Sequence, residues 1–136
     1  MRTVPALILG MALTIPFTAF AQEEADPLAE YLWLQRPLVI FADTPNDPRF
    51  KRQMELLEDT PEELEIRDVI VVTDTDPAED SALREKLHPR GFMLVVIGKD
   101  GKVAFRKPVP WSVRELIHAI DKIPMRQDEI LESLGK

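Results

Sequence analysis

Three runs of apolar residues along the chain predict the strands of a sheet. The runs "RPLVIFA" (36–42), "DVIVVT" (68–73) and "FMLVVIG" (92–98) are rich in β-forming residues. The first of these runs is typical of a strand that is covered on both faces. The turn "KDG" (99–101) and the alternating segment "KVAFR" (102–106) then predict a hairpin that ends in an edge strand.

Apolar side chains at helical spacing predict the helices between these strands. Asp47 followed by Pro48 is a good helix start, and Phe50, Met54 and Leu57 then lie on one face. The same criteria predict further helices at 27–35, at 76–87 and, after Pro124, at 125–134. A helix at 60–63 would have Thr60 and Glu63 as its capping residues. Another helix begins at Ser112, which forms a capping box with Glu115, and its buried stripe is Val113, Leu116, Ile117 and Ile120.

The order of the elements predicts the fold class. It reads β-α-β-α-β-β-α, with an extra helix at each end. The first crossover should be right-handed and should join parallel strands, and an antiparallel hairpin should follow it. This is the order of a thioredoxin-like α/β core, and the chain is long enough for one such domain.

The N-terminal 21 residues differ in composition from the rest and predict export. Arg2 precedes an apolar run that ends in Ala19-Phe20-Ala21, a small-residue site of the kind that signal peptidase cleaves. An uncleaved membrane anchor is the alternative, but Pro5 and Pro16 interrupt the run. We therefore expect a signal peptide (1–21), a short mobile lead-in (22–27), a single domain (28–134), no membrane anchor after cleavage, and a periplasmic or secreted protein.

Charge and cysteine content restrict the function classes. The chain carries 24 acidic and 17 basic side chains, with a net charge of −7 at pH 7. Such an acidic surface repels phosphate backbones, so we expect no nucleic acid partner. The sequence contains no cysteine, which excludes disulfides and thiol redox activity. Stability must therefore come from packing.

Several motifs together resemble a known family. They are Trp33 ahead of the first apolar run, "IRDVIVV" (66–72), "VIGKDGKVAFR" (96–106) and above all "IDKIPMRQDEI" (120–130). These motifs resemble the secreted domain of unknown function called P-DUDES, which occurs alone in bacterial exported proteins and as repeats in sushi-repeat and related extracellular-matrix proteins. The resemblance implies a peroxiredoxin-like variant of the thioredoxin-like fold and no assigned activity.

The same resemblance locates the position of a lost redox site. "RGFMLVVIGKDG" (90–101) is similar to the peroxiredoxin segment whose arginine enters the peroxide pocket, so Arg90 matches that arginine. Thr44 lies near the position of the family's threonine. The peroxidatic cysteine would fall at Asn46 or Asp47, where no thiol stands.

The turn after the first strand is therefore the candidate binding site. Backbone N–H groups at the helix start, the Thr44 hydroxyl, the Asn46 amide and Arg90 suit an anion or a peptide. The other interpretation is that Asp43, Asn46 and Asp47 build a turn and cap the helix. The two carboxylates favour the cap, and we keep Asp43, Thr44, Asn46 and Arg90 as candidates for ligand or partner binding.

Two further patterns suggest chemistry but lack part of it. The segment 74–80 clusters carboxylates, yet position 6 of the corresponding calcium loop is Glu79, where glycine is needed. His88 follows a predicted helix, but general-base chemistry also needs a nucleophile within reach. We expect no metal, no cofactor and no catalytic residue.

The sequence favours an exported, non-catalytic binding or scaffold module with a protein or peptide partner that is unknown. The alternative is a cysteine-independent periplasmic enzyme, a hydrolase or a peroxide-handling protein, that uses the turn together with His88 and Arg90. The lack of a paired nucleophile and general base favours the first hypothesis.

The export hypothesis makes a direct prediction. Mass spectrometry of the secreted protein should find Gln22 as its N-terminal residue, because Ala19 and Ala21 fit the small-residue pockets of the peptidase. A mature protein that still begins with Met1 would contradict the assignment of the compartment.

Overall fold

A computed structural model describes residues 25–135 of the chain. The predicted signal peptide (1–21) and the first residues of the lead-in (22–24) lie outside the described residues. Between residues 25 and 135, no helix is both long enough and apolar enough to cross a membrane.

Strands and helices alternate as the sequence pattern predicts. The strands are β1 (Arg36–Phe41), β2 (Val69–Asp74), β3 (Met93–Ile97) and β4 (Val103–Lys107). The helices are α1 (Pro48–Leu57), α2 (Pro61–Glu65), α3 (Ala82–Leu87), α4 (Val113–Ile120) and α5 (Pro124–Ser133). A 3₁₀ turn, Ala29–Tyr31, stands in place of the predicted first helix.

The four strands form one sheet in the order β2-β1-β3-β4. Strand β1 pairs with β2 in parallel, with Arg36 opposite Val69. It pairs with β3 antiparallel, and β3 pairs antiparallel with β4 across the predicted turn. A parallel β-α-β unit followed by a hairpin confirms the predicted thioredoxin-like core and places β4 at an edge.

The core fills both faces of the two central strands. Side chains of β1 and β3 alternate between the two faces, as the period of two along a strand requires. One face packs against buried residues of α1, α2 and α4 and consists of Leu38, Ile40, Leu94 and Val96. The other face packs against Leu28 and Leu87 and consists of Val39, Phe41, Val95 and Ile97. Strand β2 is only half-buried because it is the other edge.

A capping box explains where α4 begins, whereas the predicted cap of α2 is wrong. The Ser112 hydroxyl accepts a hydrogen bond from the Glu115 N–H at 3.2 Å, and the Glu115 carboxylate accepts one from the Ser112 N–H at 3.1 Å. This confirms the predicted capping box of α4. Thr60 makes no side-chain hydrogen bond to α2, which instead begins with Pro61 in its first turn.

The segment 76–87 does not form the single helix that its sequence predicts. A 3₁₀ turn, Pro77–Glu79, comes first, and Asp80 then takes a left-handed conformation with φ of 45°. Ser81 starts α3 by accepting a hydrogen bond from the Arg84 N–H at 3.3 Å. Asp76 caps the 3₁₀ turn and Ser81 caps α3, and these two local starts divide the segment.

The apolar stripe of α4 packs on the sheet as predicted except at one position. Val113, Leu116 and Ile120 are buried in the core. The prediction that Ile117 is buried with them is wrong in degree, because Ile117 is half-buried at the margin of the same cluster. The stripe is therefore narrower than its sequence suggests.

A cluster of charged side chains joins α5 to the start of β1. Arg36 is completely buried, and its guanidinium makes two hydrogen bonds with the Glu129 carboxylate, at 2.8 and 3.2 Å. Lys99 Nζ lies 2.8 Å from Glu129 Oε1, and Arg126 Nη1 lies 3.3 Å from Glu129 Oε2. Three cations thus surround one carboxylate.

A second carboxylate extends the cluster to α2 and to the end of α4. Asp121 accepts hydrogen bonds from Arg67 at 2.8 and 2.9 Å and from Arg126 at 3.2 Å. Arg67 also pairs with Glu63 of α2 at 2.9 Å. Arg126 therefore contacts both Asp121 and Glu129 and links the two carboxylates.

These contacts shift the pKa values of the two carboxyl groups. Burial raises the pKa of Glu129, but hydrogen bonds from Arg36 and Lys99 outweigh burial and lower that pKa from 4.5 to about 2. The hydrogen bond from Arg67 lowers the pKa of Asp121. Both groups are therefore charged at neutral pH and bind their cations.

Removing the Glu129 charge should destabilise the fold. Glu129→Ala leaves the buried Arg36 guanidinium without its counter-ion, and we expect a loss of about 3 kcal/mol in the free energy of unfolding. This is the low end for breaking a buried pair, because 24% of the Glu129 side chain is exposed. Urea denaturation measures the loss.

The dependence on pH provides a second measure of the same interaction. Because the folded state lowers the Glu129 pKa, its contribution to stability is present above about pH 4.5 and disappears as the pH falls to about 2. Glu129→Gln should lack this component of the acid loss. Glu55→Gln, in an exposed pair with Arg52, is the control and should change stability by less than about 0.5 kcal/mol. Equal effects at both positions would contradict the prediction.

Candidate functional site

The turn between β1 and α1 uses its polar side chains on its own backbone. Asp47 Oδ1 accepts a hydrogen bond from the Arg49 N–H at 2.8 Å, which caps α1. The Thr44 hydroxyl accepts one from the Asn46 N–H at 3.3 Å. Asp43, Thr44 and Asn46 are exposed. The geometry is that of a helix cap with a polar turn before it.

The guanidinium that contacts this turn belongs to Arg49. Its Nη2 lies 3.0 Å from Asp47 Oδ2, and its Cζ lies 5.7 Å from the centre of the Phe92 ring. The hydrogen bond from Arg49 lowers the pKa of Asp47. Arg49 is not among the residues predicted from the sequence, although its position two residues after the cap could have indicated the contact.

Arg90 and His88 lie on the neighbouring side of the same sheet end. Both are exposed, and both line an open hollow of about 440 Å³ together with Arg84 and Asp80. His88 ends α3 in a left-handed conformation with φ of 49°. Across residues 25–135, no hydrogen bond joins the side chain of Arg90 or His88 to Thr44.

The buried wall of this hollow is an ion pair between Arg84 and Asp74. Arg84 Nε donates to Asp74 Oδ1 at 3.0 Å, and Arg84 Nη2 donates to the Ala42 carbonyl at 2.8 Å. The Ser81 hydroxyl donates to Asp74 Oδ2 at 2.5 Å. Burial raises the pKa of Asp74, but the hydrogen bonds from Ser81 and Arg84 lower it further than burial raises it. Asp74 therefore serves the junction between β2 and α3.

A second hollow, larger than the one beside Arg90, lies between β4 and α4. This groove has a volume of about 700 Å³, within the range of small-molecule and peptide sites. Its wall includes the aromatic rings of Phe105 and Trp111, whose centres are 5.7 Å apart. The groove is not predicted from the sequence, because Trp111 lies outside any periodic pattern.

A buried glutamine fixes the tryptophan wall of the groove. Gln53 of α1 is completely buried, and its side chain makes two hydrogen bonds with the backbone of Trp111. The Trp111 N–H donates to Gln53 Oε1 at 2.8 Å, and Gln53 Nε2 donates to the Trp111 carbonyl at 2.9 Å. The loop before α4 is thereby held against the core, and the ring of Trp111 is oriented before any ligand arrives.

The charged residues of the groove are mostly basic. Lys107 Nζ lies 4.7 Å from the centre of the Trp111 ring, and Arg114, His118 and Lys122 line the helical side. In the described chain, no carboxylate lies within 4.0 Å of the charged groups of Lys107, Arg114 or Lys122, whereas eight other basic residues are ion-paired. A locally basic groove on an acidic chain is suited to a negatively charged ligand.

The cap at the start of α1 predicts that three substitutions in or near this turn differ in their effect on stability. Asp47→Ala should lower the melting temperature by several degrees, because the Arg49 N–H loses its acceptor. Thr44→Ala and Arg90→Ala should leave it nearly unchanged, since both side chains are exposed. Thermal denaturation followed by circular dichroism compares the three variants. A neutral Asp47→Ala would contradict the cap.

The backbone is similar to solved structures of peroxiredoxins. The reduced 2-Cys peroxiredoxin of Plasmodium vivax gives a TM-score of 0.60 at 13% identity, over 74% of this chain and 84% of that chain. Plasmodium yoelii Prx1a, modified at its N-terminus, gives a TM-score of 0.56 at 15% identity, over 74% and 80%. Identities this low show a shared fold alone. No curated protein sequence gives a significant match.

A family profile supplies the closer relationship. It matches residues 27–129, from the segment before β1 to the middle of α5, and so includes the whole sheet and both candidate surfaces. The fold and this match together define the family. The chain belongs to the family described as domain of unknown function DUF4174.

Proposed function

We propose that this protein is an exported, non-catalytic binding module that holds a negatively charged partner in the groove between β4 and α4. The observation that carries the proposal is the convergence of Lys107, Arg114 and Lys122 on one aromatic-walled groove, where none of the three pairs with a carboxylate of residues 25–135. A site with unpaired cations beside an apolar surface binds most tightly a ligand that supplies both negative charge and apolar contact area.

The composition of the chain supports a binding role over a redox role. The peroxiredoxin-like fold is present, but the sequence has no cysteine to act as a nucleophile. The resemblance to P-DUDES, a family of secreted domains without assigned activity, points in the same direction. The apolar N-terminal segment that ends at Ala21 supports export.

The candidates at the 43–47 turn remain a second possible contact surface. Asp43, Thr44, Asn46 and Arg90 are exposed and would be reached by a partner that covers this end of the sheet. The alternative of a cysteine-independent enzyme at this position requires a hydroxyl activated by a base. Among residues 25–135, no hydrogen bond joins the His88 side chain to the Thr44 hydroxyl, which favours the binding module.

Charge reversal in the groove tests the proposal. The protein is immobilised and exposed to an extract of the periplasm, and the partners it retains are compared between variants. Arg114→Glu with Lys122→Glu should lose the partner, because both substitutions place a negative charge against an anionic ligand. Lys51→Glu, an exposed residue of α1, is the control and should retain it.

The outcomes separate the two surfaces. Retention of the partner by the groove variant, with loss in Arg90→Ala, would overturn the groove and assign binding to the 43–47 turn. Equal retention by all variants would overturn both. Circular dichroism of each variant confirms that the fold is intact before binding is compared.

A further inference from the structure

We propose that the partner enters the groove as an extended acidic segment that pairs with the outer edge of β4 and becomes a fifth strand of the sheet. This inference rests on the proposed function and adds the chemistry and the binding mode of the partner. It requires an unpaired edge, a side-chain surface next to that edge, and charges that select an acidic sequence.

The unpaired edge is that of β4. The strand order is β2-β1-β3-β4, so β4 pairs on one side only. Alternate residues of an antiparallel edge strand direct their N–H and C=O groups away from the sheet. Among residues 25–135, no hydrogen bond outside the pairing with β3 uses the backbone of Val103–Lys107. These groups form a template for an added strand.

The side-chain surface lies beside this edge. Phe105 and Lys107 are two residues apart on β4 and both line the groove, whereas the intervening Arg106 contacts the Leu87 carbonyl on the opposite face of the sheet. Alternate side chains of an added strand would point in the same direction as Phe105. They would therefore enter the groove between β4 and α4.

The charges in the groove select acidic side chains. Lys107 lies on the strand side, and Arg114 and Lys122 lie on the helical side. Glu115 also lines the groove, but its carboxylate is held by the Ser112 N–H in the capping box. An acidic segment is attracted here although the chain as a whole carries a net charge of −7.

The same charges disfavour a second copy of this chain as the occupant. Pairing two β4 edges would place the Arg106 and Lys107 of both chains on adjacent strands. Like charges on adjacent strands are destabilising, and basic residues on an edge strand oppose self-association. A separate acidic segment is therefore the better complement.

A defined peptide tests the charge requirement. The probe is a fluorescein-labelled ten-residue peptide with glutamate at alternate positions and threonine between them, and binding is measured by fluorescence anisotropy at low and high salt. Arg114→Glu with Lys122→Glu should weaken binding at least about tenfold, and Lys51→Glu should change it less than about twofold. The same peptide with lysine in place of glutamate should not bind.

Backbone methylation tests the added strand. Two versions of the peptide carry N-methyl groups on every second amide, one on the glutamates and one on the threonines. An added strand on an edge pairs through only one set of its amides, so one version should lose at least about tenfold in affinity and the other should bind nearly as well as the parent peptide. Equal affinity of the two versions would overturn β-strand addition.

Failure of the inference is distinguishable from failure of the proposed function. If the peptide does not bind while the groove variant still loses the natural partner, the occupant is of another class and the binding module stands. If the protein alone forms dimers that Arg114→Glu with Lys122→Glu disrupts in analytical ultracentrifugation, the occupant is a second copy and the inference is wrong.

Discussion

The buried guanidinium of Arg36 is the constraint on which the placement of α5 depends. A fully buried charge must be neutralised, and Glu129 does this with two hydrogen bonds from the middle of α5. Helix α5 has no buried residue of its own, so apolar burial does not fix its position. Lys99 contacts the same carboxylate and thereby ties the β3–β4 turn to the helix. Charge around one carboxylate therefore ties α5 to the start of β1 and to the β3–β4 turn.

This cluster gives a physical meaning to the sequence motifs that carry the family resemblance. The motif 120–130 supplies Asp121, Arg126 and Glu129, and the Glu129 carboxylate pairs with the buried Arg36. Its proline is in the first turn of α5. Residue Trp33, in the first motif, takes a left-handed conformation, and its N–H donates to the Lys99 carbonyl at 2.7 Å. These residues are structural, and a signature of this kind identifies a fold without indicating a reaction.

Most of the fold is predictable from the sequence because its determinants are local. Apolar runs define the strands, and the Asp47 and Ser112 caps define two helix starts. The buried polar residues are not predictable in this way. Gln53 and Trp111 are 58 positions apart, and Arg36 and Glu129 are 93 apart, so no periodicity signals either contact. For the same reason the groove between β4 and α4 could not be predicted from the sequence. The 43–47 turn could be predicted, because a local pattern and a family resemblance both indicate it.

The two candidate surfaces differ in whether the chain already supplies the ligand's charge. At the start of α1, Asp47 accepts a hydrogen bond from the Arg49 N–H and pairs with the Arg49 guanidinium. An internal carboxylate therefore occupies the helix N-terminus, a position that can stabilise a thiolate in other proteins. An external anion would have to displace this carboxylate, and α1 would then lose the stability that its cap provides. In the groove between β4 and α4, Lys107, Arg114 and Lys122 have no such internal partner among residues 25–135. A negatively charged ligand would therefore meet less internal competition at the groove than at the start of α1.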